Sequence, residues 1–337
     1  MSRNGILFSS LSIFLLFLFL ADLAFGSIWI SFGEIKSVFS GESSDSIYRE
    51  ILMNYRLPKA LTAVLAGSAL SVAGLLMQTL FRNPLAGPDV LGVNAGASLG
   101  VALITMFSSG VGSYFLGFGS WGLVVAAVLG AVGVLMLVIL VSIRVSDLVS
   151  LLIVGMMFGY IAGSIVSLLQ NVSNPDTLKI FVIWTFGSLS AVSWSMMPVM
   201  IIVVGLGLSM AFFLQKPLNA LLLGENYALG LGVSISRTRF FIILATALLA
   251  GGVTAFAGPI GFVGITVPHI ARGLSGSWNH RIVLPASILC GSCLMLLCDI
   301  ASQMPGFTTS LPINSVTALF GAPLIIWILM KRSRTAF

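Results

Sequence analysis

The sequence predicts an all-α polytopic membrane protein with about ten transmembrane helices, and three observations carry that expectation. Of 337 residues, 58% are hydrophobic and only 8% charged. A soluble domain is nearer one quarter charged, so lipid must be the solvent for most of this chain. Ten apolar stretches approach the roughly 20 residues that a helix needs to cross a hydrocarbon core about 30 Å thick. The loops between them divide lysine and arginine unevenly, as a membrane topology requires.

The first stretch, 5–27, follows Arg3 and ends in the small residues of LAFGS. Its length predicts a retained helix rather than a cleaved leader. An outer loop over 28–57 carries Glu34, Glu42, Asp45, Arg49, Glu50 and Arg56 before the second span, 58–81. LFRNPLAGPDVLG, residues 80 to 92, then breaks the apolar pattern. Pro84 and Pro88 prevent a helix from continuing, while Asn83 and Asp89 are placed to satisfy backbone donors at helix ends. This reads as a rigid structural turn that starts the third span at a set depth.

Spans follow at 91–107, 120–142, 148–170, 194–214, 238–257, 259–272, 282–302 and 313–330. Those at 91–107 and 259–272 are short or glycine-rich, which is tolerated only where protein or a water-filled cavity covers the freed backbone. Gly155, Gly159 and Gly163, continued by Ser167, recur every four residues, as do Gly92, Gly96 and Gly100. Such rows let helices approach closely in lipid. The first row fits either ordinary packing or a position beside a solute pathway or subunit contact. NVSNPDTLKIFVIWTFGSLS places Pro175 and Asp176 ahead of an outer amphipathic stretch. Residues 215–239 form the largest inner segment, patterned as a short helix, a glycine break and a second short helix.

With the N-terminus inside, eleven lysines and arginines lie on the cytoplasmic side, against Lys36, Arg49, Arg56, Lys59 and Lys179 outside. Both termini are then cytoplasmic. The net charge of +6 does not indicate nucleic acid, because the cations are scattered singly.

Chemistry of the chain's own is scarce. No nucleotide-binding P-loop or zinc-protease H-E-x-x-H motif occurs. Cys290, Cys293 and Cys298 have no histidine or carboxylate cluster beside them and read as small packing residues, and His269 and His280 read as structural. Asp22 and Asp299 are the main intramembrane acids, with no pair evident at the midplane. That argues against a carrier driven by an ion gradient, the alternative function, and the motif inventory argues against an intramembrane enzyme. The chain reads as a conduit without its own engine.

RLPKALTAVLAGSALSVAGLLMQTLFRNPLAGPDVLGVNAGASLG, residues 56–100, resembles the signature of the FecCD family of permeases, the membrane subunits of ATP-binding-cassette importers for iron-siderophores, haem and cobalamin. WTFGSLSAVSW (184–194), LLLGENYALGLGV (221–233), GPIGFVGITVPHIARGLSG (258–276) and LPINSVTALFGAPLIIWIL (311–329) are similar to later family motifs, in the expected order. The resemblance implies a single permease domain of ten helices over 1–337. It also implies a second permease subunit, expected as a homodimer, two ATPase subunits that bind ATP and magnesium, and a periplasmic or lipid-anchored substrate-binding protein. No cofactor is expected on this chain, and an iron-siderophore is the first expectation for cargo.

Residue by residue, the resemblance places ATPase coupling at Gly224, Glu225, Ala228 and Gly232, within a cytoplasmic segment 216–236. Arg237 and Arg239 flank it as anchors of the next span. It places binding-protein docking at Arg56 and Lys59, and the cytoplasmic gate at Ser146 and Asp147, beside the Gly155–Gly159–Gly163 row. An aspartate at position 147 also fits a helix N-cap. The chain departs from the family pattern at Gln303, where an arginine is expected, and at Ser310–Asn314.

Overall fold

A computed structural model describes residues 3–26, 28–41, 46–106, 119–144, 147–303 and 310–333. The described residues form helices and short connections and no strand. The helices are α1 (Arg3–Ala24), α2 (Phe32–Ser40), α3 (Ser46–Glu50), α4 (Leu57–Leu80), α5 (Val93–Met106), α6 (Ser120–Arg144), α7 (Leu148–Val172) and α8 (Pro175–Thr185). There follow α9 (Met197–Phe213), α10 (Gln215–Leu222), α11 (Glu225–Gly230), α12 (Ile235–Thr246), α13 (Gly252–Ala257), α14 (Val263–Ser275), α15 (His280–Ser302) and α16 (Ile313–Ser333).

Each of the ten expected spans has its helix. Six are long and apolar enough to cross a membrane unaided, and a seventh counts if α9 and α10, bent by 53°, form one span. The remaining three, α5, α14 and α16, are short or carry an internal proline, as expected for 91–107 and 259–272. α12 and α13 are one span interrupted by a π-helical turn at Ala247–Gly251. A second π turn, Ile51–Arg56, leads into α4.

α4 is the axis of the bundle, packed by α15, α14, α12 and α9, among others. Its sequence explains why: alanine, glycine and serine occur all round the helix, so it has no polar face and neighbours can close in from every side. A Cβ on Gly74 would lie 1.7 Å from the Gly264 carbonyl oxygen, and one on Gly67 2.2 Å from that of Gly291. In the second seam, a Cβ on Gly100 would lie 2.1 Å from the Ala126 carbonyl and one on Gly96 2.6 Å from that of Gly130, which locks α5 against α6. By contrast α1 and α7 are mostly exposed along their length.

The helix directions define two faces. The terminal face carries the start of α1, the 81–92 turn, the α10–α11 segment and the start of α15. The opposite face carries α2, α3, α8 and the ends of α1 and α15. On it α2 begins with a reciprocal capping box between Ser31 and Glu34.

Candidate functional site

On the terminal face the inner segment folds as its pattern predicts: α10, a break, then α11. Gly224 makes the break at φ +121° and Gly232 ends α11 at φ +81°, backbone that an L side chain would strain to adopt. Ala228, between them, is fully buried, and its carbonyl receives the Val233 N–H at 3.0 Å. Leu223, Tyr227, Leu229 and Leu231 are exposed around it. The segment is therefore held from one side and presents an apolar surface on the other.

Two anchors hold it. Asn219 of α10 accepts the His280 backbone N–H at 2.9 Å and lies 2.8 Å from Nδ1 of the same ring, whose Nε2 is 2.9 Å from the Thr79 hydroxyl. His280 thus joins α10, α15 and α4, the structural role expected of it. Glu225, the first residue of α11, pairs with Arg239 of α12 at 3.3 Å. Arg237 is exposed, whereas Arg239 is buried.

The 81–92 turn lies directly beside this segment. Asn83 accepts the Leu85 N–H at 2.9 Å, as expected of a turn residue, and the His269 ring donates to the Pro84 carbonyl at 2.9 Å. Pro88 lies where a Cβ on Gly264 would meet its ring at 2.8 Å, so the turn is wedged against α14. Asp89 behaves differently from expectation. Its carboxylate accepts from the Asn94 amide, whose oxygen in turn accepts from Thr254 at 2.7 Å. Surrounding protein pushes the Asp89 carboxyl up to about 6, although its own surface stays open. Arg82 adopts φ +48° and puts its guanidinium 3.6 Å from where a Cβ on Gly224 would stand.

Of the expected gate pair, Ser146 lies outside the described residues. Asp147 is the N-cap of α7 and accepts the Ser150 N–H at 2.8 Å, the alternative that its position allowed. That bond holds its carboxyl below the ordinary carboxylate range, with the charge of Arg239 a smaller contribution. Asp147, Arg82 and Leu223–Tyr227 line one open cleft of about 780 Å³. Along α7, Gly155 packs under Val90, whose carbonyl oxygen a Cβ would meet at 2.5 Å. Gly159 is in looser contact with Gly92, and Gly163 has nothing within 4 Å. The row therefore passes from internal packing to an open surface, with Ser164 and Ser167 also exposed.

On the opposite face, Arg56 and Lys59 are turned inward. Arg56 is buried and donates from Nη1 to the carbonyls of Leu23 (2.7 Å) and Ala24 (2.9 Å), and from Nη2 to that of Ile28. It caps the end of α1, where the unpaired carbonyls of a helix terminus attract a cation. Lys59 pairs with buried Asp299 at 2.9 Å. Neither head group is presented outward, in contrast to the docking expectation. Gln303 donates to both Asp22 (3.3 Å) and Asp299 (3.2 Å), so these acids, expected to be separate, meet at the ends of α1 and α15. Nothing in the sequence signals this meeting, because 276 residues separate the two positions while the packing of α1 on α15 brings them together. The exposed cations of this face, among the described residues, are Lys36, Arg49 and Lys179.

Comparison with known proteins agrees with this architecture. The sequence model of the FecCD transport family matches residues 14–331. The vitamin B12 import system permease proteins BtuC of Salmonella paratyphi A and Salmonella typhi are each 34% identical over 332 residues, covering 98% of this chain and 97% of theirs. A solved structure described as an inward-facing conformation of a metal-chelate type ABC transporter superposes with a TM-score of 0.85 at 32% identity. It covers 97% of this chain and 99% of its own.

Proposed function

The chain belongs to the FecCD transport family as an importer permease, and from that premise we propose that two copies of it surround a pathway for a metal chelate. The terminal face is cytoplasmic in this reading, in keeping with the excess of lysine and arginine on its loops. Two ATPase subunits seat the α10–α11 segment and supply ATP and magnesium. A substrate-binding protein delivers cargo at the opposite face.

The observation that carries the proposal is the coupling segment itself: Gly224, Glu225, Ala228 and Gly232 shape a short helix that exposes Leu223, Tyr227, Leu229 and Leu231. An apolar knob on a loop, pinned from behind by Asn219 and Arg239, fits insertion into a groove on a soluble partner. At the opposite face, Lys36, Arg49 and Lys179 are available to acidic groups of the binding protein, while Arg56 and Lys59 support the surface from beneath.

Ferric siderophores, haem and cobalamin belong to one chemical class here, a large metal chelate. The vitamin B12 relatives bring cobalamin into first consideration beside the iron chelates. The test is uptake of each labelled chelate in matched cells with and without this chain, together with co-purification of the ATPase. The expected result is loss of one chelate's uptake on deletion, and loss of the ATPase when Leu229→Asp is introduced. Uptake of all three that is indifferent to the chain would refute the cargo class, and an ATPase still held by Leu229→Asp would refute the seat.

A further inference from the structure

Arg82 carries the unanswered charge beside the α10–α11 segment. It follows the last turn of α4 at φ +48°, a left-handed backbone that glycine ordinarily supplies at the end of a helix. Its side chain is exposed, stands against the break at Gly224, and lines the open cleft of about 780 Å³ with Asp147, Glu225 and Tyr227. Both carboxylates of that cleft are already engaged. Asp147 accepts the Ser150 N–H as the cap of α7, and Glu225 pairs with Arg239 of α12. Among the described residues, no carboxylate or carbonyl pairs with the Arg82 guanidinium. The turn behind it is fixed, since Asn83 holds the Leu85 N–H and the His269 ring holds the Pro84 carbonyl. The cleft therefore presents one unpaired cation, on a strained backbone that its surroundings keep in place.

We propose that Arg82 docks a carboxylate side chain of the ATPase, as a charged contact beside the apolar knob of α11. This rests on the coupling reading given above and adds a second point of attachment, from a separate stretch of chain. Charge complementarity selects the occupant: the two acids of the cleft are spoken for, so the charge left to be met is positive. Apolar burial is non-directional, so the exposed leucines and Tyr227 give a partner depth but little angular definition. A guanidinium meets a carboxylate in a planar, two-bonded geometry and so supplies the missing orientation. Backbone strain of the kind seen at Arg82 persists where the fold over-determines it, and it gathers at binding sites and switch regions.

The experiment measures binding of the isolated ATPase to the full chain in lipid nanodiscs, at low and high salt, beside the thermal unfolding midpoint of the chain. Arg82→Gly removes the charge and suits the left-handed backbone, so the midpoint is expected to hold. ATPase binding is expected to weaken about fivefold at roughly 0.05 M salt, the scale of an exposed ion pair. At about 0.5 M salt the difference is expected to vanish, because exposed charges are then screened. Arg82→Glu is expected to weaken low-salt binding further. Arg82→Lys, treated with a zero-length carbodiimide, is expected to couple to the ATPase, because the amine condenses with a carboxylate that it touches. Low-salt binding left unchanged by both Arg82→Gly and Arg82→Glu overturns the inference. Coupling of Arg82→Lys to Asp147 or Glu225 of its own subunit, in place of the ATPase, overturns it as well. Leu229→Asp separates this inference from the reading beneath it. If that variant still holds the ATPase, the coupling reading fails. If it releases the ATPase while Arg82→Gly and Arg82→Glu bind as the unaltered chain does, the inference alone fails.

Discussion

Arg56 and Lys59 each answer a charge or dipole inside their own subunit: Arg56 the carbonyls at the end of α1, and Lys59 the Asp299 carboxylate. Lys59→Met leaves Asp299 buried without its cation, an error that costs on the order of 3–5 kcal/mol. A lower thermal unfolding midpoint in detergent is expected, with most of it recovered on adding Asp299→Leu. Arg49→Glu is exposed and is expected to leave that midpoint in place while weakening capture of the binding protein at low salt. Arg56 and Lys59 were legible in the sequence only as cations of this face, since what each one meets lies across the bundle, whereas the cap that the sequence allowed at Asp147 is found. Its carboxyl is depressed, so the bond to Ser150 is present above the ordinary carboxylate range and is lost only as pH falls through the depressed value. Mild acid at pH 5 should thus leave the start of α7 protected, whereas Asp147→Ala should speed amide exchange at residues 149–151.

Among the elements, the helices were legible because an apolar run of membrane length has few other solutions. The α10–α11 segment was legible too: a glycine between two short amphipathic runs predicts the break at Gly224 that is found. The π turns at 51–56 and 247–251 left no sequence signal, since they arise where a long helix must shift register to keep packing. Small-residue rows were recognisable, but their partners were not, because a period of four says which face is small and nothing about what meets it. The structure separates the cases. Gly74→Val would drive two methyls into the Gly264 backbone and is expected to prevent accumulation of folded protein. Gly163→Val meets open space within the subunit and is expected to fold normally by size-exclusion chromatography. Loss of transport in that folded variant would place Gly163 at the pathway or at the contact between copies.

For the whole molecule, an all-helical permease is expected to draw its energy from an ATPase held on another chain. The family was legible from five ordered motifs, and the similarity extends over nearly the full length. Cargo was not legible, because none of the sequence motifs encodes contacts to one chelate rather than another. The pairing of Asp22 with Asp299 was likewise invisible in the sequence. It puts two acids together at helix ends, where they are held by Lys59 and Gln303. The decisive measurement is uptake of the cargo chelate into proteoliposomes holding this chain, its binding protein and its ATPase. ATP and a proton gradient are supplied separately. Uptake is expected to require ATP, to vanish with a catalytically dead ATPase and to be indifferent to the gradient. Uptake driven by the gradient alone, undiminished by the dead ATPase, would contradict it.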